Sequence, residues 1–131
     1  MNEFELLMSF SAAHFYHQNQ WSKEQNRNTF GLCNNRSGHG HDYQVRVVFE
    51  NLSHEELARK TLLTIKSQWD HQHLNEVVEE FKTGLQIPTT EVLAQKILEK
   101  ISTLAPELRP KSLKLFENEQ IWVEIGPRSN T

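Results

Sequence analysis

Asp42-Tyr43-Gln44-Val45-Arg46-Val47-Val48-Phe49 sets Tyr43, Val45, Val47 and Phe49 against Gln44, Arg46 and Val48. Successive side chains of a strand point to opposite faces. Near-alternation of aromatic and β-branched residues with polar ones therefore reads as a strand with one buried face. On its N-terminal side lies a polar segment from Phe15 to Gly38, rich in Asn, Gln and Ser, with Gly31 and Gly38 near its end. An unpatterned stretch of that length inside a compact domain reads as a functional loop. Before it, Phe4 to Phe10 is a short apolar run without turn residues, a second strand.

On the C-terminal side, Ser53-His54-Glu55-Glu56 has the form of a capping box, with Ser53 as cap and Glu56 three residues on. Leu57, Leu62 and Ile65 then carry a helix to about Trp69. Pro88-Thr89-Thr90-Glu91 opens another, with Glu91 in the first turn where the helix dipole favours an acid. Leu93, Ala94, Ile97, Leu98, Ile101 and Leu104 form its apolar stripe, and Pro106 and Pro110 punctuate its end. Ser112 to Phe116 and Ile121 to Ile125 flank the polar turn Glu117-Asn118-Glu119-Gln120 and read as a hairpin. The order strand, strand, helix, helix, strand, strand implies an α+β fold, an antiparallel sheet with both helices on one face.

Composition bounds the function. With 131 residues, 37% hydrophobic and 24% charged, the chain fits one globular domain, 1–131, without internal repeats. A net charge of -3 offers no footprint for nucleic acid, and no apolar run has membrane-spanning length. The acidic start Met1-Asn2-Glu3-Phe4-Glu5 lacks the basic region of a secretory signal, and a single cysteine, Cys33, forms no internal disulfide. Both point to a cytoplasmic protein.

The seven histidines are unevenly placed. His39-Gly40-His41 lies where the loop enters the strand, so both imidazoles share a face and can reach one ion, with Gly38 and Gly40 leaving room for the backbone. His14 follows the first strand and comes near them if the two strands pair. Three imidazoles with a fourth position open is the pattern of a catalytic zinc. Two readings of Cys33 stand at this point: a fourth ligand that closes the site, or a reactive thiol beside it.

Phe10-Ser11-Ala12-Ala13-His14, together with Gly31-Leu32-Cys33-Asn34-Asn35-Arg36-Ser37-Gly38-His39-Gly40-His41-Asp42-Tyr43, resembles the zinc signature of the 6-pyruvoyltetrahydropterin synthase family. Asp70-His71-Gln72-His73-Leu74-Asn75, Pro88-Thr89-Thr90-Glu91 and Phe116-Glu117-Asn118 resemble later segments of the same family, in order. The resemblance implies the tunnelling fold, a four-stranded antiparallel sheet with two helices on one face (ββααββ). It implies zinc (Zn2+) on His14, His39 and His41, and 7,8-dihydroneopterin triphosphate as substrate. It implies Cys33 as general base, Asp70 and His71 as a proton relay, and Glu117 as the anchor of the pterin ring. Thr89, Thr90 and Glu91 cap a helix and, by the resemblance, also line the pterin pocket. It implies a homohexamer built as a dimer of trimers. Lys23, Arg27 and Arg36 are candidates for the triphosphate.

Three departures from the family pattern bear on the pocket. Asp42 stands where the family has Asn, a candidate acceptor for an imidazole N–H. The Gly-Met-Val and Asp-Phe segment after the second strand is missing, which predicts a shorter hairpin. About two extra residues lie between Asp70-His71 and Thr89. The five residues between Cys33 and His39 resemble the pyruvoyl type of enzyme rather than the related 6-carboxytetrahydropterin synthase of queuosine synthesis. A non-catalytic zinc- or pterin-binding paralogue is the reading from another class.

Overall fold

Alternation from Asp42 to Phe49 marks only the middle of a longer strand. A computed structural model describes residues 2–18, 20–31 and 39–126, without the side chain of His39. Phe4–His14 forms β1 and His39–Glu50 forms β2, paired antiparallel from Phe4 opposite Phe49 to His14 opposite His39. Both strands outrun their hydrophobic signal, because backbone pairing continues through Ser11–His14 after the large apolar residues stop.

The long polar segment is not all loop. Lys23–Phe30 forms a helix, α1, whose N-cap Ser22 accepts from the Gln25 amide. Its one buried residue is Asn26, whose Oδ1 accepts from the Gln18 amide at 2.6 Å while its Nδ2 donates to the Gln18 and Ser22 carbonyls at 3.0 Å each. A helix held by a buried amide rather than by an apolar stripe leaves no periodic signal.

The connection after β2 differs from the expected capping box. A 3-10 turn over Leu52–His54 is capped by Asn51, whose Oδ1 accepts from both the amide and the hydroxyl of Ser53. Helix α2, Glu55–Trp69, then starts after His54 with no side-chain cap. Asn51 has φ 70°, a left-handed conformation that Asn tolerates better than most residues, and that turn redirects the chain at once.

Next come β3, Gln72–His73, and two four-residue helices, α3 (Leu74–Val77) and α4 (Glu79–Lys82). Helix α5, Thr90–Leu104, begins as the sequence predicts, with Thr89 Oγ1 accepting from the Val92 amide. Strands β4, Arg109–Phe116, and β5, Trp122–Ile125, complete a sheet of order β3-β1-β2-β4-β5. The fifth strand corrects the expected four. It is β3, two residues parallel to β1, too short to carry any pattern.

Phe10, Tyr43, Val45, Val47, Phe49, Leu113 and Leu115 face one side of the sheet. Helices α2 and α5 cover that side with Leu62, Ile65, Trp69, Leu93, Ile97 and Ile101. Each such side chain contributes about 1.5–3 kcal/mol when fully buried. The opposite side carries polar residues and exposed Leu7. Among the described residues, no helix is long and apolar enough to cross a membrane.

Candidate metal centre

The inward alternation of three strands converges at one end of the core. Along β1 it runs Phe10, Ala12, His14; along β2 it runs backwards through Val45 and Tyr43 to His41; along β4 it runs Leu113, Leu115 and, one residue past the strand, Glu117. His14 is 0% exposed and Glu117 is buried, while the His41 side chain keeps 21% of its surface. The turn after β4 holds Glu117 in place. Its amide donates to the Ile121 carbonyl at 2.9 Å, and Asn118 Oδ1 accepts from the Gln120 and Ile121 amides.

Glu117 Oε1 lies 2.8 Å from His41 Nε2 and 3.7 Å from His14 Nε2. Ligand atoms of His14, His41 and Glu117 all fall within 4.8 Å of one another. Zinc bonds of about 2.0–2.2 Å in tetrahedral array place donors about 3.4 Å apart. Two imidazole nitrogens and a carboxylate oxygen at these separations fit that ion. The other carboxylate oxygen, Oε2, accepts from Thr90 Oγ1 at 3.3 Å, so the start of α5 joins the site. Glu91 beside it is exposed in the first turn of α5.

His14 is braced on two sides. Tyr16 stacks on its ring, with centroids 5.1 Å apart and planes 19° off parallel. Tyr43 Oη lies 2.7 Å from His14 Nδ1. Burial, then the nearby Glu117 and Tyr16, push the Tyr43 phenol far up, so it stays protonated. The chain just past His14 is clamped as well. Buried Asn75 accepts from the Phe15 amide at 2.8 Å and donates to the Phe15 carbonyl at 3.0 Å.

Asp70 and His71 sit at the edge of β1, where α2 ends. Ser11 holds both through its backbone. Its amide donates to Asp70 Oδ1 at 2.8 Å and its carbonyl accepts from the His71 amide at 2.6 Å. Neighbouring residues of regular structure point apart, but His71 has φ 60° and turns its ring back, placing Nδ1 3.1 Å from Asp70 Oδ2. The Ser11 amide above all, with His71 and Lys66 adding to it, holds the Asp70 carboxyl below its ordinary value. The His71 side chain is exposed. It opens on a cavity of ≈ 470 Å³ with Ser11, Gly40, His41, Asp42 and His73.

Asp42 differs from its expectation. It alternates with His41 and faces the other side, where its Oδ1 accepts the Ser11 hydroxyl rather than an imidazole N–H. Gly40 is not required by packing, since a Cβ there would meet only the Ala12 carbonyl oxygen at 3.9 Å. Lys23 and Arg27 are exposed on α1. Cys33, Arg36, Gly38 and the His39 side chain lie outside the described residues, although the His39 backbone pairs with His14. The structure thus gathers His14, His41, Glu117 and Thr90, and sets Asp70 and His71 across β1. It adds Tyr16, which lies outside the motifs, and gives contacts to Tyr43 and Asn75, which the motifs contain without a role. Parity along β2 is the one signal that places Tyr43 with His41.

The family model described as 6-pyruvoyl tetrahydropterin synthase matches residues 5–128. The chain belongs to that family. A putative 6-pyruvoyl tetrahydrobiopterin synthase of Caenorhabditis elegans is 35% identical over 108 residues, covering 76% of each chain. The human 6-pyruvoyl tetrahydrobiopterin synthase is 29% identical over 121 residues, covering 86% of this chain and 82% of that one. The solved structure of 6-pyruvoyl tetrahydropterin synthase from C. elegans superimposes with a TM-score of 0.84 at 28% identity, over 97% of this chain and 96% of that one. The architecture is therefore that of the tunnelling fold. The family's Asp-His and Leu-Asn positions acquire distinct physical roles here: Asp70 and His71 form a pair on Ser11, and Asn75 ties down the chain after His14.

Proposed function

We propose that this chain is a zinc-dependent lyase that converts 7,8-dihydroneopterin triphosphate to 6-pyruvoyltetrahydropterin with elimination of triphosphate. The observation that carries the proposal is the convergence of His14, His41 and Glu117 at one end of the core, in a chain of this family. His14, His39 and His41 would hold the ion. When bound, zinc supplies Lewis acidity toward hydroxyls of the substrate side chain.

The remaining steps belong to the protein's own groups. Cys33 takes a proton from carbon, a task for which a thiolate beside a cation is suited. The Asp70 carboxylate keeps His71 Nδ1 on its own side and leaves Nε2 to exchange a proton with substrate. Glu117 accepts the ring N–H and exocyclic NH₂ of the pterin. Because Oε1 already stands at the imidazoles, pterin binding and metal binding share one carboxylate, and Thr90 orients it. Thr89 shapes the same helix end as its cap.

The exposed His71 lines one cavity with His41, so the Asp70–His71 pair can serve a substrate held at the ion of its own chain or of a neighbouring copy. The proposed assembly is a homohexamer, a dimer of trimers. Replacing Cys33 by Ala tests the roles. Zinc content should stay at the wild-type level while turnover is lost. Unchanged turnover in Cys33→Ala would remove the thiol from the mechanism. A wild type that holds zinc and pterin without turnover would instead support the binding paralogue.

A further inference from the structure

A neutral imidazole carries one proton on one of its two nitrogens, and a metal takes the lone pair of the other. At His14 the geometry divides the two. Nε2 faces the donor group, 3.7 Å from Glu117 Oε1, and Nδ1 faces Tyr43 Oη at 2.7 Å. Tyr43 is fully buried and stacked on Phe10, with centroids 4.9 Å apart and planes 16° off parallel. It also sits two residues from His41 on the inward side of β2. One core side chain therefore fixes the position of a hydroxyl against the ring of one candidate ligand while standing on the strand of another.

We propose that Tyr43 is a positioning residue of the metal centre, whose hydroxyl oxygen accepts the Nδ1–H of His14 and so fixes the tautomer that turns the Nε2 lone pair toward His41 and Glu117. The proposal rests on the zinc reading above. Its consequence is that the packing of β2 against Phe10, and not the site alone, sets the affinity for the ion. Tyr16, stacked on the same imidazole, keeps the ring plane. Partners of this kind contribute about 10–100-fold to metal affinity when they orient a histidine ligand.

Tyr43→Phe retains the ring and its stack and deletes only the oxygen. The test compares zinc dissociation constants of the full-length wild type and Tyr43→Phe by chelator competition, with circular dichroism confirming the fold. Nitrogen-15 spectra assign the proton on the His14 ring in both. The expected result is a zinc dissociation constant weaker by about 10–100-fold in Tyr43→Phe. The zinc-loaded wild type should show a protonated Nδ1 and a metal-bound Nε2. A dissociation constant unchanged in a folded, zinc-binding Tyr43→Phe protein overturns the proposal and leaves the zinc reading standing. Wild type that takes up no zinc contradicts the zinc reading, and this proposal with it. Should Tyr43→Phe not fold, the zinc-loaded wild-type spectrum decides: Nδ1 protonated supports the proposal, and Nδ1 bound to the metal overturns it.

Discussion

Both oxygens of Asp70 are engaged, one by the Ser11 amide and one by His71. A carboxylate held this way is easier to ionise in the folded chain than in the unfolded one. The sign follows from linkage. The stability Asp70 confers is complete above the unfolded carboxylate value of about 3.9 and is lost as pH falls through its lower folded value. Asp70→Asn should therefore flatten the acid side of the stability profile, measured as the urea midpoint against pH, and change little near neutrality. Its effect on catalysis should be larger, because an amide no longer orients His71 as a carboxylate does. A loss of about 100- to 10,000-fold in kcat with zinc retained is the expected outcome, read by turnover and metal content together. The pair was visible in the sequence as adjacent residues in a family motif. Its geometry was not, because it depends on φ 60° at His71 and on the backbone of Ser11, far away in the chain. The same limit hid Glu117 beside the imidazoles, since only the register of β4 on β2 brings them together.

Helix starts show how far local reading reaches. Thr89 caps α5 as its sequence predicts, because Thr followed by an acid and an apolar stripe satisfies both the cap and the core. Ser53 has the same local look and a different fate. Asn51 takes its hydroxyl and amide, and α2 begins after His54. The two threonine and serine substitutions should therefore separate. Thr89→Ala should cost about 1 kcal/mol of folding stability, and Ser53→Ala should stay within about 0.5 kcal/mol, measured by denaturant unfolding. Thr89→Ala should also loosen the start of α5, and with it the Thr90 contact to Glu117. Helix α1 and strand β3 escaped the sequence for opposite reasons. The first is polar except for Phe30 at its end and is held by Asn26; the second is two residues long.

At the scale of the whole molecule, the sheet has one covered face and one open one. Strand β1 pairs with β3 only at Ala12 and Ala13, so most of its outer edge carries no strand neighbour among the described residues. At the far edge β5 is short, and Trp122 is 48% exposed while stacking on Phe116. Open edges and exposed apolar residues of this kind are usually paired or covered. The hexamer proposed above from the family resemblance would cover them, so sedimentation should show an assembly of six chains, and a stable monomer at working concentration would count against it. The fold class was legible because period-two and helical stripes alternate along the chain. The assembly and the shape of the pocket were not, because they depend on surfaces that no single stretch encodes.

The chemistry is tested most directly by one incubation. Purified protein, with its metal content determined on the same sample, is given 7,8-dihydroneopterin triphosphate, and the products are identified by mass spectrometry. Zinc bound to the chain together with 6-pyruvoyltetrahydropterin and free triphosphate is the predicted result. Release of acetaldehyde with a 6-carboxytetrahydropterin product would contradict it.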